Sequence, residues 1–423
     1  MQDSKLRSRL KAQLTKFSTE LCDGLSRPLA KFVGQMLFGI QASQDVKLSN
    51  IARSLKEEIP LIKTEDRLSR NLKARALEAE LAPQLAKMAS PRVGANTVLC
   101  LDLSDIRKEY AQKMEYLARV HDGSTGEVHA GYWLCGITGA EVNGCEIVPL
   151  YQQLYSAEAQ EFRSENAEVL AGIDLVRTHL EGRGIWAVDR GGDRKKLLEP
   201  LLDRQERFVI RSTGKRLVSD RKHVKRSVSE LGARCRLRYQ ARIIKIQDGR
   251  EKTYDLRYGV EPIRLAGRDE PLHLVVVAGF GEEPILLLTN ALEGARDSQS
   301  LWWIAQIYLT RWKMEETFRF LKQSYNLEDI RVMKYQRLKN LIVLVTAAAY
   351  FAATFLGQKT KLRILCERLL ILSQRFFGIP PFRFYALADA IKQILSQTSP
   401  SPPERVPPSL QLELLLGWAA PKI

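Results

Sequence analysis

The chain has 423 residues, of which 45% are hydrophobic and 27% charged, so it is long enough for two or three domains with buried cores. This composition excludes a collagenous or wholly disordered protein. Because 65 Lys and Arg stand against 49 Asp and Glu, the net charge is +16, which favours a polyanionic partner such as nucleic acid or an anionic membrane surface.

Cysteine use and hydropathy indicate a protein of a reducing cytosol without a membrane span. The six cysteines include no C-x-x-C pair, so neither a zinc ribbon nor a disulfide framework is predicted. The N-terminus lacks the apolar core of a secretory signal. The uncharged stretch 341–357 is at the lower limit of a membrane span, and we interpret it as a buried core helix because spans usually need about 20 apolar residues.

Residues 1–95 are predicted to form a helical DNA-binding domain, since they contain no convincing strand and are rich in Lys and Arg. The centre of this region resembles a helix-turn-helix. Residues 46–58 have helical apolar spacing, Pro60 interrupts the pattern, and Thr64 is expected to cap a second helix. The second helix would then be the one that enters a DNA groove.

A basic face on this second helix supports that interpretation. Arg67, Asn71 and Arg75 follow one another at intervals of four residues, so on an uninterrupted helix they share one side. Such a face suits the major groove of DNA. A solvated amphipathic helix would carry the same pattern, and the residues alone do not separate the two.

From residue 97 the pattern changes to strands alternating with helices, which predicts a mixed α/β sheet. Three short strands are expected to form a meander. The predicted order is strands at 97–103, 116–121 and 131–136, a helix at 157–181, a buried strand at 184–189, a helix at 194–204 and a strand at 207–211.

The next region, 213–295, is predicted to be a β-rich insertion that carries much of the positive charge. The run 211–226 is densely basic, and its Lys215 and Arg216 are candidate phosphate contacts, although a solvated loop is the alternative. A buried strand is expected at 285–289. A long helix over 300–325, further helices up to residue 395 and a Pro-rich tail complete the chain.

Two acidic residues end buried strands of the predicted sheet. Asp102 closes LCLD and Asp189 closes IWAVD. A carboxylate in such a place is costly to bury unless it is paired, protonated or bound to a cation. Each alone fits an aspartate that caps a turn, but two of them from different strands of one sheet indicate a metal site.

The predicted helix 300–325 supplies a third carboxylate. Its polar residues Tyr308, Arg311, Glu315 and Lys322 fall within an arc of about 60° at 100° per residue. Glu315 facing the two aspartates would complete a set that holds two Mg²⁺ ions for phosphodiester chemistry. Arg311 and Lys322 would then hold phosphates, and the Tyr308 hydroxyl would add a hydrogen bond.

At these residues the sequence resembles a known family. The spacing Tyr-x2-Arg-x3-Glu-x6-Lys matches the signature of the DDE transposases of the insertion sequence 4 family. The segment 188–212, with its Asp189-Arg190 pair, is similar to the second-aspartate region of that family, and Asp102 lies in the D-x-S context that the family often shows. The resemblance covers about residues 97–335.

The resemblance implies a fold and a set of site residues. The fold would be α/β, a ribonuclease H-like mixed sheet flanked by helices, with a β-rich insertion and an all-helical N-terminal domain. The catalytic core would comprise 96–212 and 296–335, followed by C-terminal helices and tail at 336–423. Asp102, Asp189 and Glu315 would be the catalytic Mg²⁺ ligands, with Mn²⁺ as a substitute; Tyr308, Arg311, Lys322 and Arg190 would contact DNA.

The resemblance also implies an activity. A transposase of this type binds the terminal inverted repeats of its element, cleaves at the transposon ends and joins the 3′-hydroxyls to target DNA by a cut-and-paste route. We expect double-stranded DNA as partner, a homodimer in the DNA complex, and a bacterial cytoplasm with nucleoid association. The alternatives are a non-transposing nuclease on the same fold and an inactive DNA-binding repressor.

Overall fold

Twelve α-helices and twelve β-strands are assigned in the computed structural model, which describes residues 2–121, 126–247, 250–292, 294, 296–357 and 383–397. The helices are α1 (Gln2–Leu21), α2 (Arg27–Ser43), α3 (Leu48–Leu55), α4 (Leu61–Lys73), α5 (Leu77–Ala89), α6 (Glu165–Leu180), α7 (Lys195–Asp203), α8 (Val228–Arg234), α9 (Ser298–Thr310), α10 (Lys313–Ser324), α11 (Tyr335–Ala353) and α12 (Arg383–Leu395). The Pro-rich tail predicted after Leu395 lies almost entirely outside the described residues.

The strands form one mixed sheet, as predicted. They are β1 (Val98–Arg107), β2 (Ala118–His121), β3 (Val128–Ala140), β4 (Val148–Tyr155), β5 (Ile185–Val188), β6 (Phe208–Arg211), β7 (Leu217–Ser219), β8 (Lys225–Ser227), β9 (Tyr239–Gln247), β10 (Arg250–Leu265), β11 (Leu272–Ala278) and β12 (Ile285–Thr289). Their order is β2-β3-β1-β5-β6-β12-β11-β10-β7-β8, with β4 added to β3 and β9 to β10.

The first part of the sheet combines antiparallel and parallel pairs. Strand β3 is antiparallel to β1 and β4, whereas β5 is parallel to both β1 and β6. The predicted meander is therefore corrected in its order, because β3 lies between β1 and β2. Strand β4 escaped prediction because its centre, Gln152-Gln153, interrupts the apolar run.

The β-rich insertion continues this same sheet. Strand β12, found where the strand 285–289 was predicted, pairs antiparallel with both β6 and β11. Beyond β11, strand β10 pairs with β9 along a long hairpin and with β7 near its end. The basic segment thus extends the edge of the sheet away from the two predicted aspartates.

Helix α11 is the core helix expected from the stretch 341–357. Nearly all of its residues are buried, and it packs against β4, α5 and α2. None of the helices in the described part of the chain is both long and apolar enough to cross a membrane. The uncharged stretch is therefore explained by burial within this protein.

The second N-terminal helix begins earlier than predicted. Helix α4 starts at Leu61 after Pro60, and Thr64 lies inside it instead of capping it. The Thr64 side chain is buried, and its hydroxyl donates to Glu57 Oε2 at 2.9 Å. The expected cap was wrong because this hydroxyl makes a tertiary hydrogen bond to the segment that follows α3.

The long helix predicted over 300–325 is two helices. Helix α9 ends at Thr310 and α10 begins at Lys313, with Arg311 and Trp312 forming the connecting turn. Across it the Arg311 N–H donates to the Tyr308 carbonyl at 3.1 Å, three residues back, as in a 3₁₀ turn. Angles calculated for one uninterrupted helix therefore do not describe this segment.

Candidate active site

The two predicted aspartates lie side by side, although only Asp189 follows the end of its strand. Asp102 was expected to close β1 but lies at its centre, because β1 continues to Arg107 along β3 after its pairing with β5 ends. Strands β1 and β5 are parallel, and Leu101 pairs with Val188, so Asp102 and Asp189 are the next residues along the two chains. Adjacent strands in a sheet are about 4.8 Å apart, so both side chains lie on one face of the sheet, where β5 ends.

Helix α10 crosses the sheet at the same level. Gly136 of β3 pairs with Asp102, and a Cβ added to Gly136 would lie 2.3 Å from Met314 Cε and 2.8 Å from Phe318 Cε1. The absent side chain therefore lets α10 approach the strand next to the aspartates. Glu315, which follows Met314 on this helix, is carried close to Asp102.

Arg311 joins two of the three predicted carboxylates. Its Nη1 donates to Asp102 Oδ2 at 2.5 Å, and its Nη2 donates to Glu315 Oε1 at 2.9 Å. The Arg311 and Asp102 side chains are 15% and 19% exposed, so little water screens this ion pair, whereas Glu315 is 57% exposed and its pair with Arg311 is open to solvent. The turn between α9 and α10 thus places this guanidinium between the sheet and the helix.

Asp189 makes a local bond instead. Its Oδ1 accepts from the Gly191 N–H at 2.8 Å and caps the short 3₁₀ turn Arg190–Gly192. This is the capping role that we weighed for a lone strand-end aspartate. Its other carboxylate oxygen makes no hydrogen bond among the described residues, so capping leaves it available.

Asp102 is close enough to Arg311, Asp189 and Glu315 for their charges to act on its carboxyl group. Burial raises the pKa of Asp102 to about 6; the charge of Arg311 opposes this shift, and the negative charges of Asp189 and Glu315 add to it. Burial also acts to lower the pKa of Arg311, but Asp102 and the other neighbouring acidic groups outweigh it and hold that pKa above its usual value. An additional cation here would relieve repulsion among the acidic groups.

The donor chemistry fits Mg²⁺, although the side chains are not arranged as a metal cage. No group of three His, Cys, Asp or Glu side chains within the described ranges is positioned to hold a metal ion. Arg311 supplies the positive charge between Asp102 and Glu315, and its Nε is buried without a hydrogen-bond partner. Three carboxylates with oxygen donors remain the ligand type that Mg²⁺ requires.

Tyr308 lies next to this cluster. Its hydroxyl accepts from Arg211 Nη1 at 3.5 Å, and the Arg311 guanidinium carbon is 5.9 Å from the centre of its ring. The sequence had included Arg211 only as the start of the basic run. Arg211 ends β6, and β6 pairs with β5. The strand order could therefore have placed Arg211 near Asp189.

Lys322, near the end of α10, pairs with two acidic residues outside that helix. Its Nζ is 3.6 Å from Asp105 Oδ1 and 3.1 Å from Glu328 Oε1. It therefore does not reach the cluster around Arg311 in this arrangement. Arg190, by contrast, is exposed directly after Asp189.

The predicted basic face of α4 is not presented as one free surface. Arg67 donates to both Glu57 carboxylate oxygens, at 2.6 and 2.7 Å. Arg75 lies beyond the end of α4 and pairs with Glu80 at 2.6 Å, while Asn71 is half-buried. Tertiary ion pairs thus use two of the three side chains, and the DNA role of this face stays a prediction.

The two candidates in the basic run differ from each other. Lys215 is exposed, whereas Arg216 donates through Nε to Asp193 Oδ1 at 2.5 Å. The Asp193 side chain is 1% exposed and also accepts from the Ser212 hydroxyl at 2.7 Å. Asp193 thus connects this loop to the turn that follows Asp189.

Comparison with known proteins identifies the class. The model of the transposase DDE domain family matches residues 94–352, more than half of the chain, so the chain belongs to this family. It is therefore a DNA transposase, a protein of DNA transposition and recombination. No curated protein matches the chain.

One solved structure similar to the chain is described as "Cryo-EM structure of piggyBac transposase synaptic complex with hairpin DNA (SNHP)". The alignment has 10% identity and a TM-score of 0.43, and it covers 96% of this chain and 82% of that chain. A likeness this low bears on neither fold nor function.

Proposed function

We propose that the protein is a cut-and-paste transposase of the insertion sequence 4 family. It would bind the terminal inverted repeats of its element, cleave at the ends and join the 3′-hydroxyls to target DNA. The observation that carries this proposal is the position of Asp102 beside Asp189 where the parallel pairing of β1 and β5 ends, with Glu315 connected to Asp102 through Arg311. The Tyr-Arg-Glu-Lys spacing supports the family placement.

A ribonuclease H-like core is part of this proposal. The strand order β4-β3-β1-β5-β6, with antiparallel pairs followed by parallel pairs, supports such a core. In the proposed division, 96–212 and 296–335 form the catalytic core, 213–295 the insertion and 1–95 the DNA-binding domain. The C-terminal part would be 336–423.

Asp102, Asp189 and Glu315 are the residues that would hold divalent metal, and Mg²⁺ with Mn²⁺ as a substitute suits their oxygen donors. Bound cations would activate the attacking oxygen and stabilise the leaving oxygen of the phosphodiester. Arg311 would keep the helix and sheet carboxylates together and offer its unpaired Nε to a phosphate. The Tyr308 hydroxyl would orient the same phosphate.

DNA binding would use the N-terminal helices and the basic β7–β8 hairpin. Exposed Lys215 and Arg190 are ready for phosphate contacts, whereas Arg67, Arg75, Arg216 and Lys322 would exchange their carboxylate partners for phosphates. We propose a homodimer when two transposon ends are held together, and a location with the nucleoid in a bacterial cytoplasm.

A cleavage and strand-transfer assay tests this function. The full-length protein is incubated with Mg²⁺, labelled DNA carrying the inverted repeats that flank its gene, and a target plasmid. Joining of the labelled 3′ ends to the plasmid is the expected result. Cleavage without joining would favour a non-transposing nuclease, and retention of the DNA without cleavage would favour an inactive repressor.

A further inference from the structure

Four adjacent strands place four residues in one row across the sheet. Asp189 directly follows β5 and lies beside Asp102 on β1; Gly136 on β3 pairs with Asp102, and Gln152 on β4 pairs with Gly136. Residues directly opposite one another in a sheet point to the same face. Gln152 therefore lies on the face that carries the two aspartates, under α10.

The Gln152 side chain leans along this row. Its Oε1 is 2.8 Å from the position that a Cβ on Gly136 would occupy. The amide thus reaches from β4 over β3 in the direction of Asp102. Met314 Cε and Phe318 Cε1 also approach this position, so a side chain at position 136 would displace the Gln152 amide together with them.

The amide of Gln152 has no hydrogen-bond partner in the part of the chain that the structure describes. The residue is 3% exposed, and both Oε1 and Nε2 are buried without a hydrogen bond among the described residues. A buried polar group left unpaired is destabilising, and native proteins pair almost all of them. Asn340 of α11 shows the usual outcome, because its buried amide bonds to four backbone groups.

A buried and unpaired amide beside a carboxylate site suits a ligand that the site acquires. We propose that Gln152 is a positioning residue for the divalent cation of Asp102 and Asp189, and that its amide hydrogen-bonds the water shell of that cation. This inference rests on the proposed function. A primary amide suits the role because it offers both an acceptor oxygen and two N–H donors.

Mn²⁺ binding to the full-length protein, measured by the loss of the free-ion EPR signal, tests the inference. We expect Gln152→Met to weaken Mn²⁺ binding 10-fold or more, since partners of ligated groups typically contribute that much. Methionine has similar length and no hydrogen-bonding amide, so the thermal unfolding temperature should be unchanged or higher. Gln153→Met, on the opposite face of β4, is the matched control and should bind Mn²⁺ as wild type does.

Equal Mn²⁺ affinity in wild type and a folded Gln152→Met would overturn the inference, as would an equal loss in Gln153→Met. If Gln152→Met does not fold, Gln152→Glu is measured instead: Mn²⁺ affinity equal to or tighter than wild type supports the inference, and weaker binding contradicts it.

Asp102→Asn separates the role of Gln152 from the proposed carboxylate site. Loss of Mn²⁺ there with normal binding in Gln152→Met rejects only the role of Gln152, whereas wild-type binding in Asp102→Asn rejects the carboxylate site and this inference with it.

Discussion

At the residue scale, Arg311 connects the sheet to α10. It is largely buried and contacts carboxylates from both, and its Nε has no hydrogen-bond partner among the residues that the structure describes. A guanidinium is permanently charged and offers five N–H donors in a rigid fork, so it can hydrogen-bond two carboxylates and still donate to a phosphate. Arg311 therefore links the candidate metal ligands to the candidate DNA contacts.

We expect Arg311→Gln to reduce the salt dependence of DNA binding. Each phosphate contact contributes roughly one unit to the slope of log K against log salt, so the slope should fall by about one. Fluorescence anisotropy with labelled end DNA over a salt series measures it. Arg319→Gln, on the following helix α10 and paired with Glu316, is the control and should keep the wild-type slope. An unchanged slope for Arg311→Gln would place its side chain away from DNA.

Lys108 provides a pH-dependent prediction. Its ammonium group is buried, donates to the Ile330 carbonyl at 3.0 Å and also bonds the Glu328 carbonyl. Burial lowers the pKa of Lys108 from 10.5 to about 8, against the opposing charges of Glu328 and Asp329. Between these two pH values the unfolded chain binds more protons, so the free energy of unfolding should rise with pH.

Relative to Lys108→Met, the wild-type protein should gain on the order of 1–3 kcal/mol in free energy of unfolding between pH 8 and 10.5. Urea unfolding of both proteins at several pH values measures the difference. A constant difference across this range would show that the lysine titrates at its ordinary pKa in the folded protein.

At the scale of elements, the packing of α10 on β3 sets the distance between helix and sheet. The side chains of Met314 and Phe318 fill the space above Gly136, which lies opposite Asp102. Protein interiors are so closely packed that an added methyl group displaces the neighbouring side chains. Because Gly136 has no side chain, the helix that carries Glu315 can lie close to β3.

Gly136→Ala should lower the free energy of unfolding by about 1–3 kcal/mol and reduce DNA cleavage, because α10 must move away from β3. Gly139→Ala on the same strand is the control, since its added Cβ would lie 3.4 Å from Val148 Cβ, an ordinary contact. Denaturant unfolding and the cleavage assay compare the two variants. Similar losses in both would mean that β3 tolerates no substitution, regardless of α10.

At the scale of the whole molecule, the N-terminal helices are joined to the rest of the protein through α11. The Asn340 side chain accepts from the Leu77 N–H at 2.7 Å and donates to the Leu72 carbonyl at 2.8 Å and the Arg75 carbonyl at 2.6 Å. It thereby satisfies backbone groups at the end of α4 and the start of α5. The region proposed to hold transposon ends is therefore packed on the same helix as the sheet.

Asn340→Leu should destabilise the protein by about 2–5 kcal/mol, because it leaves these backbone groups buried without partners. Thr346→Val is the control on the same helix, since the Thr346 hydroxyl bonds only to the Ile342 carbonyl of α11 itself. Denaturant unfolding measures both. A loss below 1 kcal/mol for Asn340→Leu would indicate that the α4–α5 junction is open to water.

The sequence predicted those features that follow from local pattern. The apolar runs before Asp102 and Asp189 correctly predicted the first half of β1 and the whole of β5, and the apolar run 285–289 correctly predicted β12. The break at Arg311 carries no Gly or Pro, so periodicity could not reveal it. The sequence also could not predict which charged residues pair, because the ion pairs of Arg67 with Glu57 and of Lys322 with Asp105 depend on tertiary packing.

The central claim is that Asp102, Asp189 and Glu315 act together on one phosphodiester. Single-turnover cleavage of labelled end DNA by Asp102→Asn, Asp189→Asn and Glu315→Gln, with end binding measured in parallel, tests it most directly. Asp105→Asn on β1 is the control. We predict that each of the three variants loses cleavage by at least about 10³-fold while binding DNA, and that the control cleaves. Near-normal cleavage by any one of the three would contradict the claim.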